Sequence, residues 1–183
     1  MAPTVGAMSS AEGNLTWLPA SDHPDLVAPP VAVGLAGVTD VQVARIDPTL
    51  ADTAAFCAAY DVDPASSANC VVVEGRRGDL TTRAAVMVLA TDRADVNRVV
   101  RKHLGVRKIS FADQAVAEEL TGMQQGGITP IGLPRDWPIL VDQAVATAGP
   151  VVIGAGVRGA KLLLPGAHLA GLPGAMTLDL VLH

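Results

Sequence analysis

Aromatic side chains are scarce in this chain, and their scarcity limits how its core can be built. They make up only 3% of the 183 residues, although half of all residues are hydrophobic. The interior must therefore consist mainly of aliphatic side chains, in strands and helices that interleave along the sequence. Because one domain usually holds roughly 100–200 residues, this length predicts a single domain with one core.

The sequence also lacks an apolar run long enough to cross a membrane, since a spanning helix needs roughly 18 such residues. The longest run, residues 27–38, is interrupted by Pro29 and Pro30. Residues 1–10 have neither the basic start nor the apolar stretch of a signal peptide. We therefore expect a cytoplasmic protein with no membrane partner, a loose N-terminus over residues 1–20 and a single domain over residues 21–183.

Cysteine and histidine are too few and too scattered to indicate metal or thiol chemistry. The two cysteines, Cys57 and Cys70, are expected to be buried thiols rather than a disulfide, because the chain is cysteine-poor and cytosolic in character. Cys70 falls within a predicted buried strand, which argues against a thiolate nucleophile. The four histidines follow no zinc-binding spacing, and no Gly-x-Ser-x-Gly motif is present. The sequence predicts no metal site and no cofactor.

Positive charge is concentrated in one part of an otherwise acidic chain. The net charge is −5, yet residues 76–108 hold nine Arg or Lys against three Asp, a local balance of +6. Because salt screens charges beyond roughly 10 Å, such a segment can attract an anionic partner locally. Arg98, Arg101 and Lys102 share one face of a predicted helix that ends at Gly105, and they are the candidate contacts. The alternative is an ordinary solvated helix face.

Hydrophobic patterning predicts a mixed order of strands and helices. Runs with strand character cover residues 41–46, 69–74, 84–90, 108–111, 138–141, 150–153, 161–164 and 177–182. Helical patterns cover about residues 50–60, 92–104, 113–121 and 143–148. The second and third strands form a predicted antiparallel hairpin around a turn at residues 76–82. Since hairpins mix with crossovers, the expected class is α/β (α+β), a mixed, largely antiparallel sheet flanked by helices.

The densest set of candidate ligand contacts lies in the segment from Thr121 to Gly132. Its last seven residues, Gly-Gly-Ile-Thr-Pro-Ile-Gly from Gly126 onward, combine flexible glycines, a hydroxyl group and a proline. Such a loop can bring bare backbone groups against a ligand. It lacks the Lys-Ser/Thr ending of a P-loop and the spacing of a dinucleotide fingerprint, which argues against phosphate binding by those routes. An ordinary structural turn is the alternative.

Four segments occur in an order that is typical of one family. They are Ala68-Asn69-Cys70, the segment from Thr121 to Gly132, Leu140-Val141-Asp142 and Gly154-Ala155-Gly156-Val157-Arg158. Over about residues 60–173 this series resembles the YbaK/EbsC family, which includes the prolyl-tRNA synthetase-associated editing domains. The resemblance implies a YbaK-like fold whose cleft accepts the aminoacylated 3′ end of a tRNA and hydrolyses a mischarged ester. It implies tRNA as a partner, and an aminoacyl-tRNA synthetase as a further one.

Asn69 departs from the pattern that this resemblance implies. Editing members of the family carry a lysine immediately before the strand that corresponds to residues 70–74. An ammonium group holds a phosphate or carbonyl oxygen by full charge, whereas a neutral amide offers hydrogen bonds of about half that strength. No lysine lies nearby in sequence to replace it. Asn69 either orients substrate or bonds local backbone at the start of the strand.

The remaining candidate roles follow from the resemblance and from ester chemistry. For catalysis, the backbone N–H groups of Gly126 and Gly127 are expected to stabilise an oxyanion, and Asp142 to orient water, amine or ribose. The alternative is that Asp142 caps the helix after it. The candidate substrate contacts are Cys70, Ile128, Thr129, Pro130, Gly132, Gly154, Gly156 and Arg158. Two functions stay open: a deacylase that clears a small mischarged amino acid, and a non-catalytic binder of aminoacyl-tRNA or nucleotide.

Overall fold

Two β-sheets form the framework of the protein, whose computed structural model describes residues 10–183. Within that range the strands are β1 (Leu18–Pro19), β2 (Gln42–Arg45), β3 (Ala68–Arg77), β4 (Leu80–Leu89), β5 (Lys108–Phe111), β6 (Ile139–Asp142), β7 (Pro150–Gly154), β8 (Ala160–Pro165) and β9 (Ala175–Leu178). One sheet has the order β1-β2-β8-β7, and all its neighbouring pairs are antiparallel. The other has the order β5-β3-β4-β6-β9. Its pairs β4–β6 and β6–β9 are parallel, and the rest are antiparallel.

Short helices flank these sheets. They are α1 (Pro29–Gly34), α2 (Thr53–Tyr60), α3 (Arg101–Leu104), α4 (Gln114–Thr121), α5 (Gln143–Ala146) and α6 (Gly166–Ala170). A π-helical turn, Val96–Val100, leads directly into α3. Gly105 and Gly122 end α3 and α4 in the left-handed conformation, with φ of 66° and 67°, as their sequence positions predict. The expected fold class is confirmed, although the strands divide between two sheets.

The β3–β4 hairpin is longer than its sequence pattern indicates. Each strand has ten residues, and pairing continues to Arg77 and Leu80, so that only Gly78 and Asp79 form the turn. The predicted turn over residues 76–82 was therefore too wide. Polar side chains do not end these strands, because the distal half of the hairpin faces water and Glu74 pairs there with the arginines Arg76 and Arg83.

The core is aliphatic, as the composition predicts, and β4 is buried on both of its faces. Ala85, Met87 and Leu89 face the larger core cluster, while Ala84, Val86 and Val88 face the cluster under the Val96–Val100 turn. This alternation is the period of two that a strand imposes. Leu120 is 42% exposed, because α4 buries Ala117 and Thr121.

The described portion of the N-terminal segment contacts the rest of the fold. Residues 1–9 of the predicted loose segment lie outside the described residues, and the predicted domain bounds stay a prediction. Ala11 and Ala20 are buried, and Leu18–Pro19 pairs with β2.

The Pro29-Pro30 pair starts α1 rather than interrupting the chain, because proline is tolerated in the first helical turn. None of the helices between residues 10 and 183 has the length and apolar character needed to cross a membrane.

Candidate functional site

A cavity of about 430 Å³ opens at the seam between the two sheets. The start of β3 lies on one side of it and β7 and β8 lie on the other, and a parallel bridge between Ser67 and Val152 joins the sheets beside it. The turn before α2 completes the walls together with the segment from Thr121 to Gly132, which we call the glycine loop. The lining includes Ala51, Asp52, Thr53, Ser67, Ala68, Asn69, Cys70, Phe111, Ala112, Ala117, Gln125, Gly126, Ile128, Ile153, Gly154 and Lys161. This volume is within the usual range for small-molecule sites.

Asn69 faces this cavity and is fixed by a side chain rather than by backbone. Its amide oxygen accepts a hydrogen bond of 2.5 Å from the Thr53 hydroxyl. This contact ties the start of β3 to the first residue of α2. With the carbonyl end of the amide engaged, its NH₂ group is the donor that remains for a ligand.

Lys161 also lines the cavity, and sequence reasoning missed it. The residue is only 7% exposed, and its Nζ donates a hydrogen bond of 3.0 Å to the carbonyl oxygen of Ala51. The same Nζ lies 5.0 Å from the ring centroid of Phe56. Burial lowers the pKa of the Lys161 ammonium to about 8. The one available signal was a lysine inside the apolar run of β8, since lysine is almost never buried unless a structure uses it.

The glycine loop and the Gly154–Gly156 segment pack backbone against backbone. Gly156 N–H donates to Gly127 O at 2.6 Å, and a Cβ atom added to Gly154 would lie 2.4 Å from that same oxygen. Gly127 N–H donates to Gln124 O at 2.9 Å. This N–H group therefore already has an acceptor, and the oxyanion role expected for Gly127 stays a prediction. Gly126 N–H, by contrast, has no acceptor among residues 10–183 and lies at the cavity.

The second half of the loop does not reach the cavity. Thr129 is fully buried, and its hydroxyl has no partner among the described residues. Pro130 and Gly132 line a separate apolar groove beside Trp137. Gly132 is held against α1, since a Cβ atom there would meet Pro30 O at 2.3 Å. The chain turns away from the cavity after Ile128, and the substrate contacts expected at Thr129, Pro130 and Gly132 stay predictions.

Arg158 fastens the walls of the cavity together. Its Nε donates to Pro48 O and its Nη1 to Gln125 O, both at 3.1 Å, and Nη1 lies 3.7 Å from Asp52 Oδ1. These contacts join the segment before α2 to the glycine loop. Because its guanidinium is engaged in this way, Arg158 positions the loop and does not line the cavity as the expected substrate contact.

Asp142 lies at the end of β6 and serves two backbone donors. Its Oδ2 accepts from Ala144 N–H at 3.0 Å, and its Oδ1 accepts from Leu180 N–H at 2.9 Å. The side chain is 2% exposed and is not part of the cavity wall. Asp142 therefore caps α5, as the helix-capping alternative describes, and its catalytic role stays a prediction.

Cys70 lines the cavity with an uncharged thiol. Burial raises the pKa of its thiol to about 12, so the thiolate is absent at neutral pH. Cys57 and Cys70 are both free thiols. No group of three or more His, Cys, Asp or Glu side chains with metal-site geometry occurs between residues 10 and 183.

The positive charges form a groove that only partly matches the predicted helix face. Arg98 is bound to Asp95, with Nε 2.8 Å from Oδ2, and Lys102 lies outside the groove. The lining, which we call the basic groove, includes Arg76, Arg101, Arg107 and Lys108, together with Glu74, which pairs with Arg76. Strand β5 connects it to the cavity, because Lys108 lies in the groove and Phe111, 66% exposed, lies at the cavity rim.

Comparison with known proteins identifies a family and two similar folds. The family described as aminoacyl-tRNA editing domain matches residues 47–172. A crystal structure of a candidate trans-editing enzyme for prolyl tRNA synthetase is 20% identical, with a TM-score of 0.72 over 85% of this chain and 96% of that chain. Hypothetical protein APE2540 is 22% identical, with a TM-score of 0.73 over 82% of this chain and 98% of that chain. At these identities the two structures establish the fold alone.

Proposed function

Because the chain belongs to the aminoacyl-tRNA editing domain family, we propose that it hydrolyses the ester of a tRNA mischarged with a small amino acid. The observation that carries the proposal is the cavity at the seam, where hydrogen-bond donors surround a space of about 430 Å³. The alternative, a non-catalytic binder of aminoacyl-tRNA or nucleotide, is favoured by the neutral Asn69 at the position where lysine was expected. The reaction would take place in the cytoplasm.

The walls of the cavity leave space for an aminoacyl group. Ala51, Ala68, Ala112 and Ala117 line it, and their methyl groups leave room that larger side chains would fill. An aminoacyl ester is already activated, so the site need only admit water and stabilise the oxyanion. The free Gly126 N–H and the Asn69 NH₂ are neutral donors at the cavity, and one such donor can contribute roughly 3–4 kcal/mol to transition-state stabilisation.

The route to the cavity supports a nucleic-acid substrate. Phe111 offers an exposed aromatic face at the rim, on which an unpaired terminal base can stack. Lys108 lies three residues away on the same strand, about 10 Å at the usual rise of a strand. The basic groove begins there and suits phosphates further along the acceptor strand. A synthetase partner is a further proposal, tested by whether prolyl-tRNA synthetase changes the deacylation rate.

The direct test measures deacylation of tRNAs charged with glycine, alanine, serine, proline and phenylalanine. We expect the small aminoacyl groups to be released faster than in buffer and phenylalanine to be released at the buffer rate. Ala112→Leu should slow release by narrowing the cavity, whereas Ala115→Leu, on the exposed side of α4, should not. Binding of charged tRNA without release of any amino acid would contradict the enzyme and support the binder.

A further inference from the structure

We propose that Lys161 forms an anion subsite of the cavity and holds a substrate oxygen that carries, or develops, negative charge. This inference rests on the proposed function and assigns the cation of that site to β8 rather than to the position of Asn69 at the start of β3. It is drawn from the surroundings of one buried ammonium group.

The direction of the Lys161 side chain follows from strand alternation. On β8, Leu162 and Leu164 pack into the larger core, while Leu163 packs with Phe56 of α2. Lys161 shares the face of Leu163, since side chains two apart on a strand point the same way. The Lys161 ammonium therefore lies beside the turn that precedes α2, where it contacts Ala51 O and lines the cavity.

The charge of Lys161 has no anionic partner. Among residues 10–183 no carboxylate lies within 4.0 Å of its Nζ. Asp52 lines the same cavity, but its nearest cation is Arg158 at 3.7 Å. Burial raises the pKa of both nearby thiols, Cys57 and Cys70, so neither is an anion at neutral pH. A buried ammonium is costly unless it is paired, and an anionic ligand oxygen would pair it.

Lys161 and Asn69 act on the same turn. Lys161 Nζ donates to the carbonyl of Ala51, and Asn69 accepts from the hydroxyl of Thr53, two residues further along. Both side chains line the cavity. One comes from β8 and the other from β3, so the two sheets present a cation and an amide donor to one ligand. Of the three ammonium N–H groups, one is used by Ala51 O, which leaves two for the ligand.

The subsite has a defined place in the reaction. A water oxygen attacks the ester carbonyl carbon, and the electron pair of the C=O bond moves onto the carbonyl oxygen. When that bond re-forms, the bond to the ribose oxygen breaks, and the ribose oxygen takes up a proton that the water released. The products are a free amino acid and a tRNA with a free hydroxyl. Lys161 contacts either the carbonyl oxygen as it becomes negative or the phosphate of the terminal nucleotide.

The experiment compares Lys161→Met with Leu163→Met, which places the same new side chain on the same face of the same strand. Single-turnover deacylation of the tRNA that the wild type releases fastest is measured for both. Because loss of one oxyanion donor typically reduces the rate 10²–10³-fold, we expect Lys161→Met to be slower by about 100-fold. Leu163→Met should stay within about twofold of the wild type, since a volume-conserving swap costs little. Equal rates in the wild type and Lys161→Met would overturn the subsite.

A second variant separates the charge from the fold. In Lys161→Met/Asn69→Lys a cation returns from the other sheet, and we expect part of the lost rate to return with it. Thermal unfolding of each variant establishes that it is folded when assayed. A folded double variant that is no faster than Lys161→Met would count against a charge requirement in the cavity.

The pH profile distinguishes a cation from a base. If the ammonium is the acting form, the ratio of wild-type rate to Lys161→Met rate falls as the pH rises through about 8. A ratio that rises through this range would mean that the neutral amine acts as a base, and it would overturn the proposal. The ratio also cancels the hydroxide reaction that both proteins share.

Comparing charged tRNA with an aminoacyl-adenosine ester identifies which substrate oxygen Lys161 holds. An aminoacyl-adenosine ester has the carbonyl but lacks the phosphate. If the Lys161→Met defect persists with it, mainly in kcat, the carbonyl oxygen is the ligand; if the defect vanishes, the phosphate is. Should the wild type release no amino acid at all, the proposed function fails separately. Affinity for adenosine 5′-monophosphate then tests the subsite, and equal binding by wild type and Lys161→Met would exclude it.

Discussion

Lys161 should make the stability of the protein rise with pH, because burial holds its pKa below the value it has in the unfolded chain. Burial lowers its pKa from 10.5 to about 8. Below pH 8 both the folded and the unfolded chain hold this proton, and the folded state bears the full cost of a buried ammonium. Between pH 8 and 10.5 the folded chain loses the proton while the unfolded chain keeps it. The free energy of unfolding therefore rises with pH across this window.

The expected magnitude follows from the two pKa values. Since one pKa unit corresponds to about 1.4 kcal/mol, the cost of the charged form is roughly 3 kcal/mol. Lys161→Met removes that cost and leaves Ala51 O without its donor, a loss of about 1 kcal/mol. At pH 7 the variant should therefore be more stable than the wild type by roughly 2 kcal/mol. This advantage should vanish and reverse slightly by about pH 10.

Urea unfolding of both proteins at pH 7, 8, 9 and 10 measures this difference. Titration of the other lysines is common to both proteins and largely cancels in the difference, whereas the Cys57 thiol interacts with the Lys161 charge and contributes to it. Leu163→Met serves as the control, and its difference from the wild type should not vary with pH. A Lys161→Met difference that stays within about 0.5 kcal/mol from pH 7 to 10 would refute the reasoning, since it would mean that the folded Lys161 titrates normally. A gain in stability together with a loss of deacylation would indicate that the chain retains an unfavourable charge for its activity.

Three further changes test other parts of the site. Phe111→Ala should weaken charged-tRNA binding roughly tenfold, because stacking of one base contributes about 1–3 kcal/mol, while Phe111→Tyr should bind like the wild type in the same titration. Arg107→Glu in the basic groove should weaken tRNA binding and lower its salt-dependence slope by about 1; Lys102→Glu, outside the groove, should change neither, and an equal effect of both would restore the helix-face prediction. Asp142→Ala should lower the free energy of unfolding by roughly 2–4 kcal/mol, since a helix cap and a buried acceptor are lost. Its single-turnover rate, measured while the protein is folded, should not change, and a selective loss of rate would return Asp142 to the catalytic group.

Local signals in the sequence predicted most elements, because caps and strand periods are set by neighbouring residues. Residues 108–111 form the strand expected there, and Gly122 ends its helix as its position indicates. The family resemblance, confirmed by the match over residues 47–172, predicted Asn69 and Gly126 as site residues, and both line the cavity. It could not decide between a catalytic and a capping Asp142, since both roles place an aspartate at the end of a strand.

Lys161 was missed for a physical reason. It is 92 residues after Asn69 in the sequence, and only the packing of β8 against α2 brings it to the same turn. Patterning recognises β8 as an apolar strand, but it does not say which element covers each face. Patterning also could not predict that the glycine loop leaves the cavity after Ile128, because the contact of Gly132 with α1 is set by tertiary packing.

The seam between the two sheets affects how related sequences should be searched. Lys161 of β8 donates to Ala51 O and Asn69 of β3 accepts from Thr53, so side chains from both sheets contact the turn at residues 51–53. A motif search that requires lysine in a single alignment column would discard such a chain as inactive. A criterion based on position in space, asking whether any lysine reaches that turn, would retain it.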